Sequence, residues 1–162
     1  MAKKKVDEAT RRNNQVVATN RKARHNYSIL ETFEAGVALV GTEVKSLREG
    51  SAQLSDAYAV GQHGELFLLN AQIPPYKAAG PLLNHEPKRT RKLLLHRREI
   101  DRLYAQVREK GFTLVPTRLY FKDGRVKAEI AVGKGKELRD KRRDVADRDA
   151  KRQIERELKS RR

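Results

Sequence analysis

The chain has 162 residues, enough for about one domain with a real core, and carries 37 Lys and Arg against 21 Asp and Glu, a formal net charge of +16. A surplus of that size favours polyanionic partners, nucleic acid foremost. It holds no cysteine, which excludes disulfides, thiolate chemistry and Cys-based metal sites and fits a reducing compartment. No apolar run approaches the ~20 residues of a membrane span, and no amphipathic segment has a large apolar face, so no membrane partner is expected.

The opening MAKKKVDEATRR is basic but lacks the apolar stretch of about 7–15 residues that a secretory signal needs. Residues 1–24 carry eight Lys/Arg against two acids, and residues 133–162 carry thirteen against seven, so each end is +6. The middle holds nearly all the aromatic and large aliphatic residues. This partition predicts a basic arm over 1–24, packed onto the body from Asn20 onward, a folded body over 25–132 and a basic tail over 133–162.

Tyr27 to Ala35 and on to Gly41 reads as a long strand with Tyr27, Ile29 and Phe33 on one parity and a bend at Gly36. EVKSLREG is a short amphipathic helical turn or strand extension stopped by Gly50. AYAV and ELFLLNAQI flank GQHG as a hairpin, and Pro74, Pro75, Gly80 and Pro81 mark a loop. A helix is expected from an N-cap at Thr90 to Gly111, with Leu93, Ile100, Leu103, Tyr104 and Val107 as its packed stripe and a basic opposite face. TLVPTRLYF and RVKAEIAV form a second hairpin around an Asp-Gly turn, the latter alternating Val126, Ala128, Ile130 and Val132 against Lys127 and Glu129. About five to six strands with added helices give a mainly β fold, for which a closed or partly open OB-type barrel is the natural architecture; an open α+β sheet has the same strand count.

In the tail only Leu138, Val145, Ile154 and Leu158 are large and apolar, too few for a core, so disorder is expected in the free chain. Glu137–Lys141, Asp144–Arg148, Asp147–Lys151, Glu155–Lys159 and Glu157–Arg161 place an acid four residues before a base, which supports a helix once a polyanion neutralises the surplus charge.

Three basic runs, NRKARHNY at 20–27, KRTRK at 88–92 and KGKELRDKRR at 134–143, interleave cations with Asn, His and Tyr. That pattern suits phosphates and unpaired bases. Within it, Arg21, Lys22, Arg24, His25 and Lys134 are assigned phosphate or base contacts by their chemistry. His25, His63, His85 and His96 show no metal-ligand spacing, and no nucleophile, base and orienting group occur together, so neither metal, cofactor nor catalysis is expected. Glu31, Glu34, Glu43, Asp56 and Glu65 lack a two-metal pattern and read as ion-pair partners.

The segments NRKARHNY, ETFEAGVALVGTEVKSLREGSAQLSDAYA, PKRTRKLLLHRREI and AVGKGKELRDKRRD, in this order, closely resemble the tmRNA-binding protein family, also called SsrA-binding protein or small protein B. The resemblance covers roughly residues 15–145. It implies an OB-type barrel without catalysis, in a bacterial cytoplasmic protein of trans-translation. The barrel grips the tRNA-like domain of tmRNA and helps bring it, with elongation factor Tu and after charging by alanyl-tRNA synthetase, to the A site of a stalled ribosome. The tail enters the decoding centre and empty mRNA channel and becomes helical there. A monomer is expected.

By motif match, Asn20, Glu34 and Leu94 fall where the family engages tmRNA. Glu34 either accepts from a base edge, anchors a neighbouring Arg or is a structural ion pair. Leu94 is either an RNA contact or, by helix spacing, core. Arg139, Asp140, Lys141, Arg142, Lys151 and Ile154 are the corresponding ribosome residues. Many members have His where this chain has Arg139, whose guanidinium plane also stacks on bases. A basic ribosomal or ribosome-assembly protein and a structure-specific nuclease are the other classes, the latter requiring metal-dependent cleavage.

Overall fold

The computed structural model describes residues 14–50 and 52–160, and two tight hairpins set its frame. β3 (Tyr58–Gln62) turns into β4 (Glu65–Leu69) through His63 and Gly64, at φ 52 and 75. β6 (Thr113–Lys122) turns into β7 (Arg125–Gly135) through Asp123 and Gly124, at φ 50 and 78. Two successive positive φ angles twist a two-residue turn to match its strands, which is why glycine follows His or Asp there.

β1 (Val16–Thr19), β2 (Tyr27–Val37) and β5 (Arg91–Leu94) complete a seven-stranded antiparallel sheet. Its pairings run β6, β3, β4, β5, β2, β7 and back to β6, a ring of six strands, with β1 laid against β6. The ring is thinnest between β3 and β6, joined at Ala59↔Leu114. Among the described residues five helices accompany it: α1 (Arg21–Asn26), α2 (Gly41–Arg48), the short α3 (Gly80–Leu83), α4 (Arg97–Lys110) and α5 (Leu138–Ser160). Inside the ring Phe33, Ala35, Leu66, Leu68, Leu93, Leu119, Ile130 and Val132 are buried with Leu47 from α2 and Ile100 and Leu103 from α4. The alternation of Val126, Ala128, Ile130 and Val132 is inward as expected.

Several expectations are corrected. The helix does not begin at Thr90: residues 91–94 are strand, alternating buried, exposed, buried, exposed, and α4 starts at Arg97 after His96, whose N–H donates to the Glu99 carboxylate at 3.1 Å. Leu93 is core, but from β5 paired with Leu66 and Val37. The break in β2 is a bulge between Ile29 and Glu31, not a bend at Gly36, and it turns Ile29 outward. The basic arm is not wholly outside the body, since Val16–Thr19 adds a strand, and β7 runs on to Gly135, past residue 132. Residues 138–160, expected to be disordered in the free chain, form one helix of 23 residues. None of its side chains is buried, so it stands by its own backbone bonds and a joint at its base. The leading arm, residues 1–13, lies outside the described residues.

Candidate nucleic-acid interface

Asn20 explains why a six-residue helix forms where the arm meets the body. β6 carries a bulge between Pro116 and Arg118, and proline is tolerated in a strand at such a break. The carbonyls there accept from Asn20: its side-chain amide donates to Pro116 O at 3.0 Å and to Leu54 O at 2.9 Å, and its backbone N–H donates to Thr117 O at 2.7 Å. Its Oδ1 accepts from the Ala23 N–H at 3.1 Å, capping α1. Asn20 is buried and its polar atoms are spent within the protein. In the protein alone Asn20 is a positioning residue: it fixes α1, and α1 presents the cations.

Ala23 packs beneath α1 against Val115 and Ala131, while Arg21, Lys22 and Arg24 face solvent and His25 is half-buried. The register Tyr27↔Gly135 and Ser28↔Lys134 brings exposed Lys134 beside the end of α1. The first and third basic runs thus meet on one side. The second does not join them. Arg91 is fully buried and donates to Glu43 (2.8 Å), Ala71 O (2.7 Å) and Pro87 O (3.0 Å). Arg89 grips the same carboxylate at 3.1 and 2.7 Å, and Lys92 pairs with Glu65 at 2.6 Å. This run largely braces the fold instead of facing phosphate.

The five acids all prove to be ion-pair partners: Glu31 with Arg102, Glu34 with Lys122, Glu43 with Arg89 and Arg91, Asp56 with Lys22, and Glu65 with Lys92. Glu34 also accepts from the Tyr120 hydroxyl, and these bonds hold its carboxyl below the usual glutamate range. Burial and the Glu34 bond push the Tyr120 phenol up. Leu94 is not core: it lies half-exposed across from Gly36, where a Cβ would come within 3.2 Å of its own. Glu34, two residues before Gly36, shares that outer face, as do Tyr120 and Lys127. The predicted residues therefore form two patches: α1 with Lys134, and Glu34 with Leu94. Seven steps along β2 part Tyr27 from Glu34, roughly 23 Å at strand rise.

Arg139, Asp140, Arg142, Lys151 and Ile154 are exposed on α5, and Lys141 is half-exposed. Sequence reasoning treated Lys136 as one more cation of the third run; it is instead the joint at the base of this helix. Its N–H donates to Asn26 O at 2.9 Å, and its ammonium donates to Arg24 O at 3.1 Å and to the Asp144 carboxylate, so one residue, through backbone and side chain, ties the C-terminal carbonyls of α1 to the second turn of α5. Lys136 holds the Asp144 carboxyl below the usual range. Arg148 approaches His25 Nδ1 at 3.4 Å across the same gap. Lys136→Met keeps the stem and loses the ammonium. Spin labels at Gln62 and Ala150, both exposed, are expected to give one narrow distance distribution in the parent and a broad one in the variant, with the melting transition unmoved. A narrow distribution in both would show that other contacts set the helix direction.

Among the described residues no cluster of three or more His, Asp or Glu is placed to hold a metal, and no helix is long and apolar enough to cross a membrane. The site that remains is a cation-bearing short helix on a basic antiparallel β protein, continued by a charged projecting helix, which defines a polyanion-binding protein. Comparison with known proteins narrows the class. A family model described as "SmpB protein" matches residues 17–160, and the chain belongs to that family. The SsrA-binding protein of Mycobacterium tuberculosis H37Rv is 59% identical over 153 residues, covering 94% of this chain and 95% of the relative. That of Mycolicibacterium vanbaalenii is 61% identical over 146 residues, covering 90% and 88%. A solved structure described as "tmRNA-SmpB: a journey to the center of the bacterial ribosome" superposes with a TM-score of 0.64 at 48% identity, covering 76% of this chain and 85% of that one.

Proposed function

We propose that this chain is the RNA-binding factor of trans-translation: its body binds the tRNA-like domain of tmRNA and brings it to the A site of stalled ribosomes. The carrying observation is the convergence of exposed Arg21, Lys22, Arg24 and Lys134 at the base of a charged helix about 35 Å long at helical rise. The six-strand ring is read as an OB-type barrel, and the patches along β2 suit an RNA that tracks its surface. Glu34 and Leu94 contribute through the second patch, Glu34 by aiming Tyr120 and Lys122. α5 occupies the decoding centre and empty mRNA channel, where Arg139, Asp140, Lys141, Arg142, Lys151 and Ile154 meet ribosomal RNA. The relatives' name, SsrA-binding protein, supports the reading. Elongation factor Tu and alanyl-tRNA synthetase are reached through tmRNA, and the factor acts as a cytoplasmic monomer without chemistry of its own.

A gel-shift comparing tmRNA, full-length tRNA and ribosomal RNA fragments tests this. Preference for tmRNA is expected, with affinity falling ~10³–10⁵ between about 50 and 200 mM salt for roughly six to ten neutralised phosphates. Equal binding to all three RNAs overturns the reading.

A further inference from the structure

A recess of about 360 Å³ opens between α1, the start of β3 and the start of β6, beside the cations of α1. Asn26, Tyr27, Ser55, Asp56 and Tyr58 line it. We infer that this recess is a base pocket, which takes one unstacked nucleobase of the RNA whose phosphates α1 binds; the inference rests on the RNA-binding part of the reading above.

Three observations carry it. First, while Asn20, Lys22 and Asp56 in its lining are bonded within the protein, four polar side-chain groups there are idle: among the described residues, the Asn26 amide, the Ser55 hydroxyl and the Tyr27 and Tyr58 phenols make no hydrogen bond within the protein. Elsewhere Tyr104 spends its hydroxyl on Glu65 O at 2.8 Å and Tyr120 spends its own on Glu34. Second, the two tyrosines differ in duty. Tyr27 packs against Ala23, Val115 and Ala131 and covers Gly133, where a Cβ would stand 2.9 Å from its own, so it is a fixed wall. Tyr58 is 37% exposed, a ring with a face left for a ligand. Third, the mouth is charged in the right sense: Arg21, Lys22 and Arg24 are exposed on the adjoining helix, with Lys22 braced by Asp56 at 3.1 Å.

A base needs a π-face, an edge partner and a cation for its flanking phosphate. Tyr58 supplies the first, Asn26 and Ser55 the second, α1 the third. Stacking on an aromatic ring is sequence-tolerant, whereas an amide with both donor and acceptor can pair a base edge.

The test titrates the full chain with hexauridylate, hexaadenylate and an abasic hexamer of the same charge, read by nuclear magnetic resonance shifts and fluorescence anisotropy. Expected are shifts at Asn26, Ser55 and Tyr58 with the base-bearing hexamers alone. Tyr58→Ala should weaken their binding by about 5- to 150-fold, as loss of stacking does, while Tyr58→Phe stays within about threefold and the abasic hexamer binds parent and variants alike. Melting curves confirm that Tyr58→Ala is folded, and Asn26→Ala, which keeps the carbonyl used by Lys136, gives an independent loss. Shifts confined to the α1 cations, equal binding of abasic and base-bearing hexamers, or undiminished binding by both folded variants overturns the pocket. A parent that prefers tmRNA while the variants bind hexamers unchanged sinks the pocket and spares the function; a parent that binds hexamers through Tyr58 yet does not prefer tmRNA does the reverse.

Discussion

Replacing Glu43 by glutamine is expected to destabilise the body by about 3–5 kcal/mol, because it leaves a buried guanidinium without its counter-charge. That corresponds to a fall in melting temperature of roughly 6–20 °C for a chain of this size. Glu43 and Arg91 are both fully buried, 2.8 Å apart, and Arg89 holds the second carboxylate oxygen at 2.7 Å while the Val40 N–H donates to it at 2.9 Å. An arginine does not shed its proton, so removing the acid cannot be relieved by titration. Thermal melts of Glu43→Gln, Arg91→Met and the double variant measure the coupling. The double variant should recover part of the loss, since it buries no unpaired charge, but the Ala71 and Pro87 carbonyls that Arg91 served would still lack their donor. Single and double effects that simply add would show the pair to be independent.

The same pair sets a pH dependence. Burial pushes the Glu43 carboxyl up, but the Arg89 bonds, the Val40 N–H and Arg91 outweigh it, and the folded-state value lies below the ordinary one. A depressed acid contributes stability that is whole above its unfolded pKa, near ~4.3, and is lost as pH falls through the folded value. The stability gap between parent and Glu43→Gln should therefore be constant above about pH 5 and close on acidification. A gap that widens in acid would reverse the sign argued here.

Much of this architecture was legible because its turns and alternations are local. Asp123-Gly124 between two β-rich runs has few other solutions, and His63-Gly64 is nearly as plain. What was misread depends on partners far along the chain. Leu93 satisfies both the helical stripe with Ile100 and Leu103 and the two-residue alternation of β5; only pairing with β4 and β2 decides between them. Arg91 looks like any surface cation until Glu43, 48 positions away, meets it in the core. β1 escaped notice because four residues in a charged arm carry little signal until β6 offers an edge. At the site, the cations of α1 could be read from composition, whereas the inward turn of Asn20 and Lys136 could not: a polar residue's type says which bonds it makes, not whether protein or RNA supplies the other half.

Ending the chain after Glu137 is expected to leave tmRNA affinity within about threefold, some 0.6 kcal/mol, and to reduce tagging of stalled nascent chains to background. The two effects part because α5 buries no side chain and meets the body chiefly through Lys136, so its removal takes away nothing that holds α1, Lys134, Glu34 or Leu94 in place. If α5 does not touch tmRNA, the slope of affinity against salt should also stay as it is, since that slope counts neutralised phosphates. A second variant separates charge from shape. Ala150→Pro leaves all nine Lys and Arg of α5 in place but breaks its interior, at a cost of about 3 kcal/mol to the helix. Tagging by Ala150→Pro near background, with unaltered tmRNA binding, would mean that the ribosome requires these side chains on a helix; tagging near the parent level would mean that an extended basic chain suffices. A truncation that loses tmRNA binding together with tagging would place α5 inside the tmRNA interface and end the proposed assignment of separate RNAs to body and helix.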